Sequence, residues 1–188
     1  MYLRLLAVAA LGGGLVAGQE FKLGQRVSDF TLNDTSGRNV SYAALKGDLT
    51  VVMFIATKCP VSNNYNERMK ALYADYAPKG VKFIFVNANG TEPASEVQEH
   101  ARQHGFPFPV YKDEGSVTAD RFGAQVTPEA FVMDKTGTIR YHGYIDDAQN
   151  VARVQNQGLR KALDALLAGQ PVPVAETKAF GCTIKRVK

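Results

Sequence analysis

Two cysteines are the residues of this sequence best suited to covalent chemistry. They are Cys59 and Cys182, in a chain of 188 residues. Cys59 follows the apolar run LTVVMFIAT, typical of a central parallel β-strand, and precedes Pro60, which suits the first turn of a helix. The free N–H groups at a helix start lower the pKa of a thiol, and the neighbouring Lys58 adds positive charge. The position therefore predicts an accessible, nucleophilic cysteine; the alternative is a buried structural one.

The residue three places after Cys59 limits how an intermediate on that cysteine could be released. A Cys-x-x-Cys motif has its second cysteine there, and this sequence has Ser62. A hydroxyl can cap the helix or hydrogen-bond the thiolate, but it cannot form a disulfide. Cys182 is the other candidate, because a flexible tether over residues 170–179, at about 3.3 Å per residue, can cross a small domain. Three alternatives stay open: Cys182 resolves an intermediate, it forms a structural disulfide with Cys59, or it is unpaired.

A second feature that could serve the thiol is the dipeptide Thr127-Pro128, which opens the apolar run PEAFVMD. A proline at a strand start that faces a helix start can take the cis form, which is rare and usually has a purpose. The alternative is an ordinary trans proline, which the first residue of a strand tolerates.

The elements that must position these residues follow from the hydrophobic pattern. An N-terminal hairpin is predicted over residues 27–32 and 39–42, and a closing hairpin over 128–134 and 138–145. Further strands are predicted at 49–57, 81–88 and 108–111, and helices at 61–78, 94–105, 116–122 and 151–168. The order β-α-β-α-β-β-α behind a hairpin predicts an α/β sandwich with a mixed sheet.

The amino-acid composition and the N-terminal residues indicate the cellular location of the protein and the classes of partner that it could bind. The chain is 45% hydrophobic and its 22 basic residues are scattered, so a packed core is expected and nucleic-acid binding is not. Residues 1–18 have the charged, apolar and small-residue regions of a signal peptide, which predicts export to the periplasm or outside the cell. We expect a domain over residues 19–169, a tail over 170–188 that carries Cys182, and no stable membrane span in the mature chain.

Two pairs of polar residues are weaker candidates for a site. His100 and His104 stand four apart on a predicted helix, a spacing that can chelate a metal, but a solvated polar face is the favoured interpretation. Asp146 and Asp147 precede the last predicted helix, where capping is favoured over cation binding. We therefore expect neither a metal site nor a cofactor.

The strand that ends at Cys59, the helix after it and the distant segment VTPEAFVMDKTGTIRYHG together resemble the thioredoxin fold. The resemblance covers about residues 21–169 and implies a thioredoxin-like three-layer sandwich. The N-terminal hairpin resembles the redoxin branch, the alkyl hydroperoxide reductase/thiol-specific antioxidant superfamily. Within it the sequence is similar to a peroxiredoxin-like group with a single N-terminal active-site cysteine. The resemblance implies that Pro128 is cis beside Cys59, and that Thr127 and Pro128 help to bind a partner's sulfur. A C-terminal Gly-Cys-x-Ile-Lys, which includes Cys182, also fits such proteins.

The sequence departs from the family patterns at three positions. Thioredoxins have a buried acid six residues before the first cysteine, where this chain has Met53. Peroxiredoxins have Thr or Ser three residues before their cysteine, where this chain has Ala56, and that cysteine aligns with Ser62. The residues that peroxiredoxins use for peroxidase chemistry are therefore missing at these positions.

The leading hypothesis is an exported thiol–disulfide oxidoreductase with Cys59 as nucleophile, possibly resolved by Cys182. Thr127 and Pro128, with Lys58, Pro60 and Ser62, would bind the substrate. Its partners would be protein or small-molecule thiols and disulfides, with an external thiol as reductant. The second hypothesis is a non-catalytic binding module or a carrier of a soft metal ion such as Cu(I), and the third is a thiol peroxidase.

Overall fold

The computed structural model describes residues 20–187, so the predicted signal peptide lies outside the described residues. The strands are β1 Thr31–Asn33, β2 Asn39–Ser41, β3 Leu49–Ile55, β4 Val81–Asn87, β5 Val110–Lys112, β6 Val126–Thr127, β7 Glu129–Asp134, β8 Ile139–Gly143 and β9 Cys182–Thr183. The α-helices are α1 Tyr42–Leu45, α2 Pro60–Asn64, α3 Asn66–Tyr76, α4 Ala94–Gln103, α5 Val117–Phe122 and α6 Gly158–Leu167.

A seven-stranded mixed sheet is the centre of the fold. Its strand order is β2-β1-β5-β4-β3-β7-β8. β3, β4 and β5 run parallel, whereas β7 is antiparallel to β3 and β1 is antiparallel to β5. The predicted N-terminal hairpin is present as β1 and β2, and the closing hairpin as β7 and β8. A separate two-stranded sheet joins β6 to β9.

Every residue of β3 is buried, and the two faces of the strand feed two separate cores. Val51 and Met53 pack with residues of α3 and α6 in the first core. Val52 and Phe54 pack with residues of α1 and α5 in the second. Since successive side chains of a strand point to opposite faces, a continuous apolar run is what such a doubly covered strand requires. The predicted three-layer α/β sandwich is confirmed. None of the helices within residues 20–187 is long and apolar enough to cross a membrane.

The single helix predicted over residues 61–78 is wrong. The segment forms two helices, α2 and α3, which meet at Tyr65. The Tyr65 N–H donates to the carbonyl of Ser62, and its ring is buried while its hydroxyl donates to Asp146, 2.8 Å away. Burial of the Tyr65 ring and the hydrogen bond of its hydroxyl to Asp146 fix the chain at this point, so the helix predicted from the apolar spacing is interrupted here.

The last helix starts later than predicted, and the acidic pair before it does not cap it. Residues 151–153 form one 3₁₀ turn, and α6 begins only at Gly158, after Gln157. Asp147 accepts a hydrogen bond from the Gln155 N–H and holds the intervening loop instead. Asp146 accepts hydrogen bonds from Tyr65 and Arg68. The two carboxylates therefore stabilise tertiary contacts rather than the helix start.

Candidate functional site

Cys59 lies at the junction that the sequence predicted, directly before α2. Its Sγ accepts a hydrogen bond from the Ser62 N–H at 3.2 Å, and Pro60 occupies the first turn. α2 has only five residues, so the field of a long helix does not act on this sulfur, and one direct N–H does. Cys59 is only 3% exposed. The prediction of an accessible thiol is therefore wrong for this structure, because the tail covers it.

Ser62 contacts the Cys59 sulfur through its backbone N–H and not through its hydroxyl. The Ser62 Oγ accepts a hydrogen bond from the Ala56 N–H at 3.1 Å, which ties the end of β3 to α2. Met53, at the position where the related fold has an acid, is fully buried in the first core. The side chain of Ser62 thus stabilises the loop that carries Cys59.

A buried acid that the sequence did not single out holds the same loop. Glu92 is 3% exposed and accepts hydrogen bonds from the N–H groups of Thr57 at 2.8 Å and Lys58 at 3.0 Å. Asn87 donates to it at 2.6 Å, and the buried Lys112 donates to Asn87 in turn. Burial raises the pKa of Glu92, but the hydrogen bonds from Asn87 and the loop outweigh burial and hold that pKa below its ordinary value. No pattern in the sequence marks Glu92, because it lies 35 residues beyond Thr57.

The peptide bond between Thr127 and Pro128 is cis, as predicted, and it lies beside Cys59. The Thr127 carbonyl oxygen is 3.5 Å from the Cys59 Sγ. Glu129, also missed from sequence, accepts hydrogen bonds from the N–H groups of Gln125 and Val126 at 2.8 and 3.1 Å. Its other carboxylate oxygen is 2.6 Å from His142 Nε2. The sequence did contain a signal for Glu129, because it is the one acid in the apolar run EAFVM. A carboxylate in a buried strand needs hydrogen-bond partners, so such a residue is a candidate for a structural or functional role.

Cys182 meets Cys59 in a disulfide, with 5.8 Å between their Cα atoms. This joins residues 123 apart in sequence and excludes the unpaired tail thiol in this structure. Cys182 belongs to β9, which pairs antiparallel with β6 so that Cys182 stands opposite Thr127. The disulfide therefore lies between the start of α2 and the cis-proline segment.

The segment that leads to Cys182 is fastened at several points and is not the free tether predicted from sequence. Thr177 donates its N–H to the His142 carbonyl, and the Ala175 carbonyl accepts from the His142 N–H, both at 2.9 Å. Beyond Cys182, the Lys185 N–H donates to Asn89 Oδ1 at 2.7 Å, and Arg186 forms an ion pair with Asp120 at 2.6 Å. The tail thus runs from the edge of β8 across the cis-proline segment.

The Lys58 ammonium group is paired with groups outside the loop that carries Cys59. Its Nζ forms an ion pair with Glu96 at 2.6 Å and donates to the Thr91 carbonyl at 3.2 Å. Its charge is therefore shared with an acid on α4, and its activation of the thiol stays a prediction.

His100 is half-buried and hydrogen-bonded, which differs from the solvated polar face that the sequence favoured. Its Nε2 is 2.9 Å from Asn63 Oδ1, and its ring lies 4.3 Å from that of His104. Burial, and then the neighbouring His104, hold the pKa of His100 below its ordinary value. Over residues 20–187, no group of three or more His, Cys, Asp or Glu side chains is placed to hold a metal ion.

With this geometry established, comparison with known proteins identifies the family. Residues 23–142 match the AhpC/TSA family, which is more than half of the chain. The chain belongs to the AhpC/TSA family. It is 30% identical, over 146 residues, to the thiol-disulfide oxidoreductase ResA of Halalkalibacterium halodurans, which covers 74% of this chain and 82% of that protein.

Two solved structures match nearly the whole molecule. An uncharacterized conserved protein from Geobacillus kaustophilus is 34% identical with a TM-score of 0.82, covering 89% of this chain and 93% of that one. A hypothetical protein from Sinorhizobium meliloti 1021 is 31% identical with a TM-score of 0.81, covering 89% and 96%. A more distant structure, 22% identical with a TM-score of 0.58, shares the thioredoxin-like fold alone.

Proposed function

We propose that the protein is an exported thiol–disulfide oxidoreductase whose redox centre is the pair Cys59 and Cys182. The observation that carries this proposal is the disulfide itself, which lies against the cis-proline segment and beside the Ser62 N–H. The names of the ResA relatives agree with it.

In the reduced protein, Cys59 is the attacking sulfur. Its thiolate accepts the hydrogen bond from the Ser62 N–H, which stabilises negative charge on sulfur. The thiolate forms a bond to one sulfur of a partner disulfide, and the other partner sulfur leaves with the electron pair of the broken bond. The product is a mixed disulfide between Cys59 and the partner.

Cys182 completes the exchange. Its thiolate attacks the Cys59 sulfur, the Cys59–Cys182 bond forms, and the partner's remaining sulfur leaves as a thiol after it takes up a proton. Two electrons have then passed from the cysteine pair to the partner disulfide. An external thiol reductant restores the two thiols, and the sequence runs in reverse when the partner is the stronger reductant.

The loop that carries Cys59 fixes the position of the attacking sulfur before the partner arrives. Glu92 binds two successive N–H groups just before Cys59, and the Ser62 hydroxyl binds the end of β3. Such preorganisation lowers the cost of reaching the geometry of attack, in which three sulfurs lie in line.

Export is the part of the proposal that rests on sequence alone. Residues 1–18 have the pattern of a signal peptide, and a structural or catalytic disulfide persists most readily in an oxidising compartment. Cell fractionation of the full-length protein, with the N-terminus of the mature form determined by mass spectrometry, tests it. Recovery of the unprocessed chain from the cytoplasm would contradict export.

The activity is tested with two matched full-length variants, Cys59→Ser and Cys182→Ser, each reduced and then mixed with a small disulfide. Cys59→Ser loses exchange by at least about a hundredfold, because no nucleophile remains. Cys182→Ser still attacks once and accumulates a mixed disulfide on Cys59, seen as a mass increase, whereas the wild type does not accumulate it. Exchange that persists in Cys59→Ser would overturn the proposal.

A further inference from the structure

The tail lies on the site in the way that an extended partner peptide would. β9 adds to the edge of β6, with Cys182 opposite Thr127 and Thr183 opposite Val126. The Ile184 N–H continues the pairing by donating to the Gln125 carbonyl at 2.9 Å. Strand addition to an exposed edge is a general mode of peptide recognition, in which the backbone gives affinity and side-chain pockets give specificity.

Two side chains of the tail, outside β9 itself, occupy apolar sites on either side of Cys182. Phe180, two residues before it, packs against the first core with its ring centroid 6.3 Å from that of Tyr65. The hydroxyl of Tyr65 is fixed by Asp146, and Arg68 stacks over its ring at 3.7 Å. Ile184, two residues after Cys182, is only 3% exposed and lies in the second core. Thr183, between them, is exposed.

Gly181 accounts for the close approach of the strand. A Cβ atom at this position would overlap the Thr127 carbonyl oxygen, a backbone atom of the cis-proline segment that cannot move aside cheaply. The residue before the cysteine must therefore be glycine for the strand to lie on β6 as it does.

We infer that the edge of β6 is a binding site for an extended, cysteine-containing peptide of a partner protein, with an aromatic residue two before the cysteine, glycine directly before it and a branched aliphatic residue two after it. The inference rests on the proposed function and names its substrate class. The tail, residues 180–184, is the chain's own copy of that peptide.

In this arrangement the tail and the partner peptide compete for the same edge of β6. When the cysteines are reduced, the partner strand takes the place of residues 180–184, and Cys59 attacks its sulfur. When the tail returns to β6, Cys182 forms the disulfide with Cys59, and the same strand displaces the product. Pairing of the tail with β6 and release of the product therefore occur together.

The test uses the reduced full-length Cys182→Ser variant and a synthetic peptide with the sequence of residues 178–186, whose cysteine is joined to thionitrobenzoate. Cys59 attacks the peptide sulfur, and coloured thionitrobenzoate leaves with the electron pair, so no other oxidant is needed. Peptides that carry F180A, G181A or I184A are compared with a T183A control. The variant's own tail slows all peptides by a common factor, which cancels in the ratios.

We expect F180A and I184A each to lower the second-order rate constant about tenfold, since each removes apolar burial equal to about one factor of ten. G181A lowers it by at least about tenfold, and T183A changes it by less than about twofold. The mixed disulfide of glutathione and thionitrobenzoate serves as a probe with no peptide pattern. If that probe reacts but all four peptides react within about twofold of one another, the peptide site is wrong. If that probe and every peptide are inert, the proposed function itself fails.

Discussion

β3 and β9 lead to the two ends of one disulfide, and they are built in opposite ways. β3 has seven residues, all buried, and it pairs with β4 on one side and β7 on the other. Within residues 20–187, β9 has two residues and pairs with β6 alone. The comparison indicates that Cys59 is attached to the most extensively paired strand of the fold, whereas Cys182 lies on a short edge strand that is held by fewer backbone hydrogen bonds and is therefore freer to leave. A resolving cysteine needs that freedom, whereas a nucleophile needs a fixed position.

The largest expected effect contrasts two phenylalanines, one in each region. Phe54 of β3 is fully buried among Phe122 and Phe131, so Phe54→Ala is expected to lower the free energy of unfolding by about 4 kcal/mol. Phe180 of the tail is only partly buried, so Phe180→Ala is expected to cost about 1 kcal/mol. Urea denaturation of the two oxidised variants measures both. Equal losses would contradict the comparison.

Reduction is expected to have the next largest effect. Opening this cross-link lowers the free energy of unfolding by roughly 3 kcal/mol, the middle of the range typical of disulfides, since the unfolded chain regains conformational entropy. In hydrogen exchange, the Ile184 amide then loses protection while the amides of β3 keep theirs. Cys182→Ser, which has no disulfide to open, is the control and is unaffected by reductant. Protection that persists at Ile184 after reduction would show that the tail stays docked.

A substitution at Glu92 tests whether this carboxylate holds the loop before Cys59 in place. Glu92→Gln replaces a carboxylate that accepts three hydrogen bonds by an amide that cannot accept them all, at a cost of about 2 kcal/mol in the free energy of unfolding at pH 7. Because the pKa of Glu92 is lowered in the folded state, its contribution is present above its ordinary value of 4.5 and is lost as pH falls through the lower folded value.

The difference between wild type and Glu92→Gln therefore shrinks below about pH 4.5. Denaturation at several pH values measures it, and Glu96→Gln, which changes an exposed acid of α4, is the matched control. A difference that grows towards acid pH would contradict the assignment.

Lys58 is expected to give the smallest effect. Its ion pair with Glu96 is exposed, and such pairs contribute less than about 1 kcal/mol. Lys58→Ala is expected to change the rate of Cys59 attack on a small disulfide by less than about twofold, because the exposed ammonium group is already paired with Glu96 and is screened by solvent. A loss of tenfold or more in stopped-flow kinetics would restore Lys58 as an activator of the thiol.

The fixed region was also the predictable one. The apolar run before Cys59 indicated β3, the turn residues indicated both hairpins, and the cis form of Pro128 followed from its place and from the resemblance. These features depend on local pattern, where hydrophobic period and turn chemistry decide the outcome.

What the sequence could not indicate depends on contacts between distant residues. The pairing of β6 with β9 joins positions 55 apart, and neither two-residue strand has a hydrophobic pattern of its own. The break at Tyr65 depends on Asp146, 81 residues away, and Glu92 acquires its role only when the loop before Cys59 folds over it. Local propensity contains no information on such partners.

The central claim is that Cys59 and Cys182 form one reversible redox pair. It is tested most directly by alkylating the full-length protein, purified without reductant, and measuring its intact mass before and after reduction. The account predicts a monomer with neither cysteine labelled, a proteolytic fragment that links Cys59 to Cys182, and two labels only after reduction. Two labels without reductant, or a disulfide between two chains, would contradict it.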